Sequence, residues 1–295
     1  MRQVTRTLPL LSATIILLFA SVAGAAGAIL FMPARVVQQS GSSLEEHLTK
    51  SRQASAAKDY KVARNEAREA LKLNKHSPEA NLLLALASKH LQRSEDAMKY
   101  VKKAIEYLQN YADAHYLLAV LLYEKREMKK AASELETAMS LGARFPNAYV
   151  LKGMLELQSS QQEAALNSYK EALRLAGHDD AELASLKERV TALEAIQEHL
   201  THKGDAAYQR PQLLNRPMPR YTEEARRNHI QGAVRAAMLI DEQGNVTRVV
   251  VLTTLGYGLD EQAVQAASRL KFSPATKDGK PVPFWLMVMI EFNLR

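Results

Sequence analysis

Cysteine does not occur among the 295 residues, which excludes disulfides, thiolate metal ligands and a lipid-modified amino-terminal cysteine. Tryptophan occurs once, and aromatic residues make up 6% of the chain. The clustered arginines Arg216, Arg220, Arg226, Arg227 and Arg235 therefore read as a solvated face rather than a base-stacking platform. The net charge of +7 is divided as +3 before residue 44, +1 from 44 to 204 and +3 from 205 onward, so no segment is a basic surface for nucleic acid. The sequence also lacks a phosphate-binding glycine loop, a His-Glu-x-x-His helix and a Gly-x-Ser-x-Gly elbow. Glu198-His199-Leu-Thr-His202 puts two imidazoles on one helix face, but without a further ligand cluster it reads as a polar helix end. An enzyme is not expected, nor a cofactor.

Uncharged runs are scarce after the amino terminus, where one stands out. Leu8 to Met32 contains no charged residue and follows Arg2 and Arg6. As a helix it would be about 37 Å long at 1.5 Å per residue, enough to cross a bilayer. Ala23-Gly-Ala25 and Ala26-Gly-Ala28 have the small-x-small form of a signal-peptidase site, so cleavage is the competing reading. Apolar character continues past both sites to Met32, which favours an anchor over residues 1–32. The flanking arginines favour an internal amino terminus and an exported body. The expectation is a single-pass inner-membrane protein with a periplasmic body; the alternative is a soluble periplasmic protein after cleavage.

Residues 33–43 read as a linker. From there to 179 the chain repeats every 34 residues. Ala63, Ala97, Ala131 and Ala165 form one column, Ala70, Ala104, Ala138 and Ala172 a second, and Ser51, Ala85, Ala119 and Gly153 a third. Val101, Leu135 and Tyr169 share a position between the two alanine columns. Small residues at fixed points of two helices let them cross closely, and this pattern resembles tetratricopeptide repeats, four of them over 44–179. Pro78 and Pro146 stand where proline can open a helix. A further helix over 180–202, with Leu183, Leu186, Val190, Leu193, Ile196 and Leu200 on one side and Glu188, Arg189, Glu194 and Glu198 on the other, reads as a solubilising cap. Residues 203–210 read as a second linker.

The segment 211–295 alternates as a small α+β module. Val234, Ala236, Met238 and Ile240 mark one face of a strand. Asp241 to Asn245 reads as a hairpin loop with Gly244 supplying positive φ, and Val246, Val250 and Leu252 resume the alternation in a second strand. Gly258-Leu-Asp260 opens a helix with Ala263, Ala266, Ala267 and Leu270 at helical spacing, and a last strand runs from Pro283 to Leu294. With Tyr221 to Arg226, Phe272 to Ala275 and Asp278-Gly279 in the same order, the module resembles the TonB C-terminal domain, over about 85 residues. Thr222 departs from the proline common in that family after the tyrosine.

The fold class expected is thus multidomain: an all-α tetratricopeptide solenoid followed by an α+β domain with a three-stranded antiparallel sheet and two helices. The TonB resemblance implies binding to envelope proteins, an outer-membrane receptor among them, and coupling to an inner-membrane motor complex; a non-energised scaffold is the alternative. It places the partner-binding residues at Arg216, Pro217, Met218, Pro219, Arg220 and Tyr221, and at Trp285, Met287, Met289 and Glu291 on the outward face of the last strand. The repeat resemblance implies a peptide groove lined by Lys89, His90, Tyr116, Tyr123 and Glu124, together with Leu82, Leu86, Val120, Val150, Met154 and Leu157. No nucleic-acid partner is expected, and membrane contact is expected only through the amino-terminal run.

Overall fold

The computed structural model describes residues 34–176, 181–201 and 207–294. The expected anchor Leu8–Met32 lies outside them; among the described residues no helix is long and apolar enough to cross a membrane. The chain divides into two compact units after Ala143.

The first unit holds six helices: α1 (Ala34–Ala56), α2 (Tyr60–Leu73), α3 (Pro78–His90), α4 (Ser94–Tyr107), α5 (Ala112–Glu124) and α6 (Met128–Ser140). Helix begins at Ala34, so most of the expected 33–43 linker is the start of α1; no proline interrupts the segment after Ala34. The 34-residue period reappears in the backbone. Lys58, Gln92, Arg126 and Ser160 each adopt positive φ, between 58° and 63°, in the turn that reverses each helix pair. Both alanine columns are fully buried, as are Ser51, Ala85 and Ala119. Ser51 spends its hydroxyl on the Ala63 carbonyl at 2.8 Å, which is how a polar side chain is tolerated at a close helix crossing. Ser77 caps α3 by accepting from the Ala80 amide, with Pro78 at the first helical position.

The second unit contains the fourth helix pair, α7 (Pro146–Gln158) and α8 (Gln162–Ala176), then α9 (Ala181–Thr201) and the carboxy-terminal module: β1 (Tyr208–Gln209), α10 (Glu223–Arg227), β2 (Gly232–Ile240), β3 (Val246–Thr253), α11 (Leu259–Ala267), β4 (Ala275–Lys277), β5 (Lys280–Val282) and β6 (Phe284–Phe292). The main sheet is antiparallel with order β3-β2-β6. A second small sheet, β1-β4-β5, was not expected, and it draws Tyr208 and Gln209 out of the expected second linker. The hairpin glycine is obligatory. Gly244 has φ +83°, and a Cβ there would lie 1.9 Å from the Phe272 carbonyl oxygen, whose amide in turn donates to Gly244.

Ile240 pairs with Val246 while Leu239 pairs with Arg248, leaving Thr247 bulged. The bulge flips the strand, so Val246 packs with Val249 and Val251 rather than with Val250 and Leu252 as simple alternation predicts. One sheet face carries Val234, Ala236, Met238, Ile240, Ile290 and Phe292 against α10 and α11. The other carries Ala237, Val250, Leu252, Trp285 and Met287, and α8 and α9 cover it. The helix expected as a cap, α9, thus covers the sheet as well as packing on α8. Glu188, Glu194 and Glu198 are exposed, but Leu186, Val190, Ala192, Leu193 and Ile196 are buried in one core with α8 and the sheet. A sheet apolar on both faces must bury both, and α10 and α11 cover only one. Two polar contacts reinforce the packing: the Tyr169 hydroxyl donates to the Leu252 carbonyl at 3.1 Å, and Arg235 Nη2 donates to the Gln158 carbonyl at 3.3 Å.

Candidate partner-binding surfaces

The two edges of the main sheet are built differently. β6 pairs with β2 residue for residue, from Gly232 with Phe292 to Ile240 with Phe284, without a shift. β3, the other edge, shifts register twice, between Arg235 and Ala236 and between Leu239 and Ile240. Bulges twist an edge away from further pairing, whereas an unbroken edge strand presents a regular row of donors and acceptors.

The four residues expected on the outward face of β6 part company. Trp285 and Met287 pack on the α8–α9 layer, and Gln162 Nε2 lies 3.8 Å from the Met287 sulfur. They are therefore half-buried against this chain's own helices, a correction to the expected outward face that follows from the second helical layer. Met289, 53% exposed, and Glu291 stay at the surface. Alternating with these four, Leu286, Val288, Ile290 and Phe292 face α10 and α11, while Phe284 stacks on His199 of α9, ring centres 4.3 Å apart. That stacking, with the Tyr208 hydroxyl 3.2 Å from Nδ1, gives His199 a structural role; among the described residues no group of three His, Cys, Asp or Glu is placed to hold a metal.

The segment leading into the module reaches β6 through its last residue, Tyr221. Arg216, Arg220 and Met218, the last 71% exposed, point outward, with Pro217 and Pro219 half-buried between them. Tyr221 is brought to β6: its ring meets Phe292 edge-on at 5.8 Å, its hydroxyl donates to the Ile230 carbonyl, and the Arg226 guanidinium lies 5.6 Å from its centre. Thr222 has a local use that proline could not fill, since its hydroxyl caps α10 through the Ala225 amide and donates to the Tyr257 carbonyl at 2.6 Å. Asp260 organises the next loop by accepting from the Leu255 and Gly256 amides at 2.7 and 2.9 Å. Leu213 and Leu214 are exposed on a segment bridged to Phe272 and Lys271, and no periodicity in the sequence marks them.

In the first unit, α3 and α5 meet through Lys89 Nζ and Glu124 Oε1 at 3.0 Å. His90 stacks flat on Tyr60 at 4.0 Å, and burial, seconded by the Lys89 charge, lowers its pKa. Tyr116 is half-buried; burial, then the Glu124 charge, pushes its phenol up. Tyr123 is not a groove residue. It is 6% exposed at the end of α5, with the Arg126 guanidinium 5.7 Å from the ring centre, and its area goes into packing. In α7 the expected groove positions are also taken: Leu157 is fully buried, and Val150 and Met154 pack against the same core as the sheet. His115 is structural as well, bonded through its two ring nitrogens to Glu134 at 2.7 Å and the Gln109 carbonyl at 2.8 Å.

These two parts have separate likenesses. Residues 217–294 match the family described as Gram-negative bacterial TonB protein C-terminal, and residues 54–121 and 146–179 match families described as tetratricopeptide repeat. Over 92 residues the chain is 35% identical to Protein TonB of Vibrio cholerae serotype O1, covering 28% of this chain and 38% of that protein. Among solved structures, PilF of Pseudomonas aeruginosa is 17% identical with a TM-score of 0.48, over 55% of this chain and 72% of that one. A thermophilic TPR protein of Thermus thermophilus is 24% identical with a TM-score of 0.44, over 55% and 89%. The chain therefore carries tetratricopeptide repeats followed by a TonB C-terminal domain.

Proposed function

We propose that this chain is a cell-envelope adaptor that binds one protein segment along β6 of its TonB-type domain and another in the groove of α1, α3 and α5. The observation that carries the first half is the state of the sheet. Both its faces are covered by helices, β3 is bulged, and of its two edges β6 is the regular one. Strand addition there draws affinity from backbone hydrogen bonds and selectivity from exposed side chains of the strand, Met289 and Glu291, to which the Arg216–Arg220 segment, joined to the strand through Tyr221 on Phe292, adds its own. In the groove Lys89, His90, Tyr116 and Glu124 are the residues that meet the ligand. The role is binding rather than catalysis, in keeping with the two domain types. Leu8–Met32 holds the chain in the inner membrane with its body in the periplasm, and intact mass of the purified protein tests this: a mature chain starting near Ala26 or Ile29 sinks it.

A photo-crosslinking residue at Met289, with a second variant at Arg248 on the β3 edge, tests the edge assignment in the full chain. Adducts at 289 and none at 248 are expected; the reverse rejects it. A second reading, that the chain also passes inner-membrane energy outward to an outer-membrane receptor, is supported by the likeness to the Vibrio cholerae protein. Recovery of motor subunits with the intact chain favours it, and recovery of soluble partners alone favours a scaffold.

A further inference from the structure

We infer that the groove of α1, α3 and α5 selects a basic, apolar peptide, its Lys or Arg pairing with Asp113 and its apolar side chains lying on Leu86 and Val120. This rests on the groove being a peptide site, as proposed above, and adds the chemistry of the ligand.

One acidic position of the 34-residue repeat loses its cation in the third repeat. Glu45, Glu79 and Asp113 share one position, 34 residues apart. Arg52 on α1 serves the first two: its Nη2 lies 3.0 Å from Glu45 Oε1 and its Nε donates to Glu79 Oε1 at 2.7 Å. The positions equivalent to Arg52 in the next repeats are Leu86 and Val120, so no guanidinium follows for Asp113. Among the described residues nothing forms an ion pair or hydrogen bond with its carboxylate, although it sits half-buried. Burial alone accounts for the rise in its pKa, with no counter-charge opposing it. Tyr111 feels the same arrangement: its phenol is pushed up by burial, then by Glu79 and Asp113, against the pull of Arg52.

The surface between is apolar. Leu86 and Val120, half-buried, stand where the first repeat carries a cation. Beyond them the charge is already neutralised, because Lys89 is held by Glu124. An acidic peptide would find both groove cations engaged with carboxylates, whereas a basic one finds a desolvated carboxylate with none. Asp113 also lies in the first turn of α5, where the helix dipole tolerates a negative charge. That explains why the carboxylate survives there without a cation, and still leaves its oxygens to be paired.

The test selects random dodecapeptides displayed on phage against the full-length chain, then measures the winners as acetylated, amidated synthetic peptides by fluorescence polarisation. Expected are winners rich in Lys or Arg beside apolar residues, and a roughly tenfold loss of affinity for Asp113→Asn. Replacing the peptide's cation by Gln should cost the parent about the same and cost Asp113→Asn nothing further. Asp113→Glu should keep the preference. Peptides blocked by Leu86→Glu but indifferent to Asp113→Asn, or winners rich in Asp and Glu, overturn the charge assignment while leaving the groove intact. Winners that all ignore Leu86→Glu, or none at all, overturn the groove itself.

Discussion

Adding a single methyl group at Gly153 would test how the fourth repeat is locked to the sheet. Gly153 lies within α7, and a Cβ there would meet three atoms of the Tyr169 ring at 2.6, 2.8 and 3.0 Å. Tyr169 is fully buried, and its hydroxyl is tied to the Leu252 carbonyl of β3, so the ring cannot withdraw without breaking that bond or disturbing the core around it. Two effects oppose. Alanine is favoured over glycine inside a helix by about 0.8–1.0 kcal/mol. Overpacking a filled core costs about 1–3 kcal/mol. The net expectation for Gly153→Ala is a loss of about 1 kcal/mol. Trp285, the sole tryptophan, packs on the same core, so its fluorescence during urea unfolding reports on this unit. The same change made in a Tyr169→Leu background, where the ring is gone, should stabilise, because propensity then acts alone. A Gly153→Ala chain with a higher midpoint than the parent would show that the α7–α8 crossing has room, and the argument for a locked unit would fail.

Asp260→Ala strips two loop amides of their acceptor and should cost about 1–3 kcal/mol, seen as faster hydrogen exchange at Leu255 and Gly256. Ala131→Leu forces a large side chain into a fully buried position of α6 and should also cost about 1–3 kcal/mol; an unchanged melting curve would count against close helix crossings. Burial raises the Asp113 pKa, so the folded chain keeps that proton to higher pH than the unfolded chain. The stability it contributes is full below the unfolded value and lost as pH climbs through the folded one. Asp113→Asn should therefore gain on the parent as pH rises through and above the ordinary carboxylate range in paired urea titrations, and a constant difference would refute the sign.

What the sequence by itself determined was local and periodic. Small residues every 34 positions specified close-packed helix pairs, and the turns repeat so faithfully that four non-glycine residues share one left-handed conformation. Alternation in β2 named the face that packs on α11, and Gly244 and Gly258 marked turns that only their φ values permit. Each of these is written in the spacing of residues a few positions apart. Only the tertiary structure decided what lies over the second face of the sheet. Alternation says that Trp285 and Met287 share a side; it does not say whether solvent, a partner or this chain's own helices will cover them, because one apolar face can be buried by any other. The stripe of α9 likewise fitted a terminal cap or a cover for the sheet, and Val150, Met154 and Leu157 fitted an open groove or a filled one. A one-residue bulge at Thr247 turned Val246 over, and packing at the end of α5 withdrew Tyr123 from the surface. Those outcomes depend on contacts between segments up to more than a hundred residues apart, as between Gln162 and Met287, and a pattern read along the chain holds the chemistry of each side but not which sides meet.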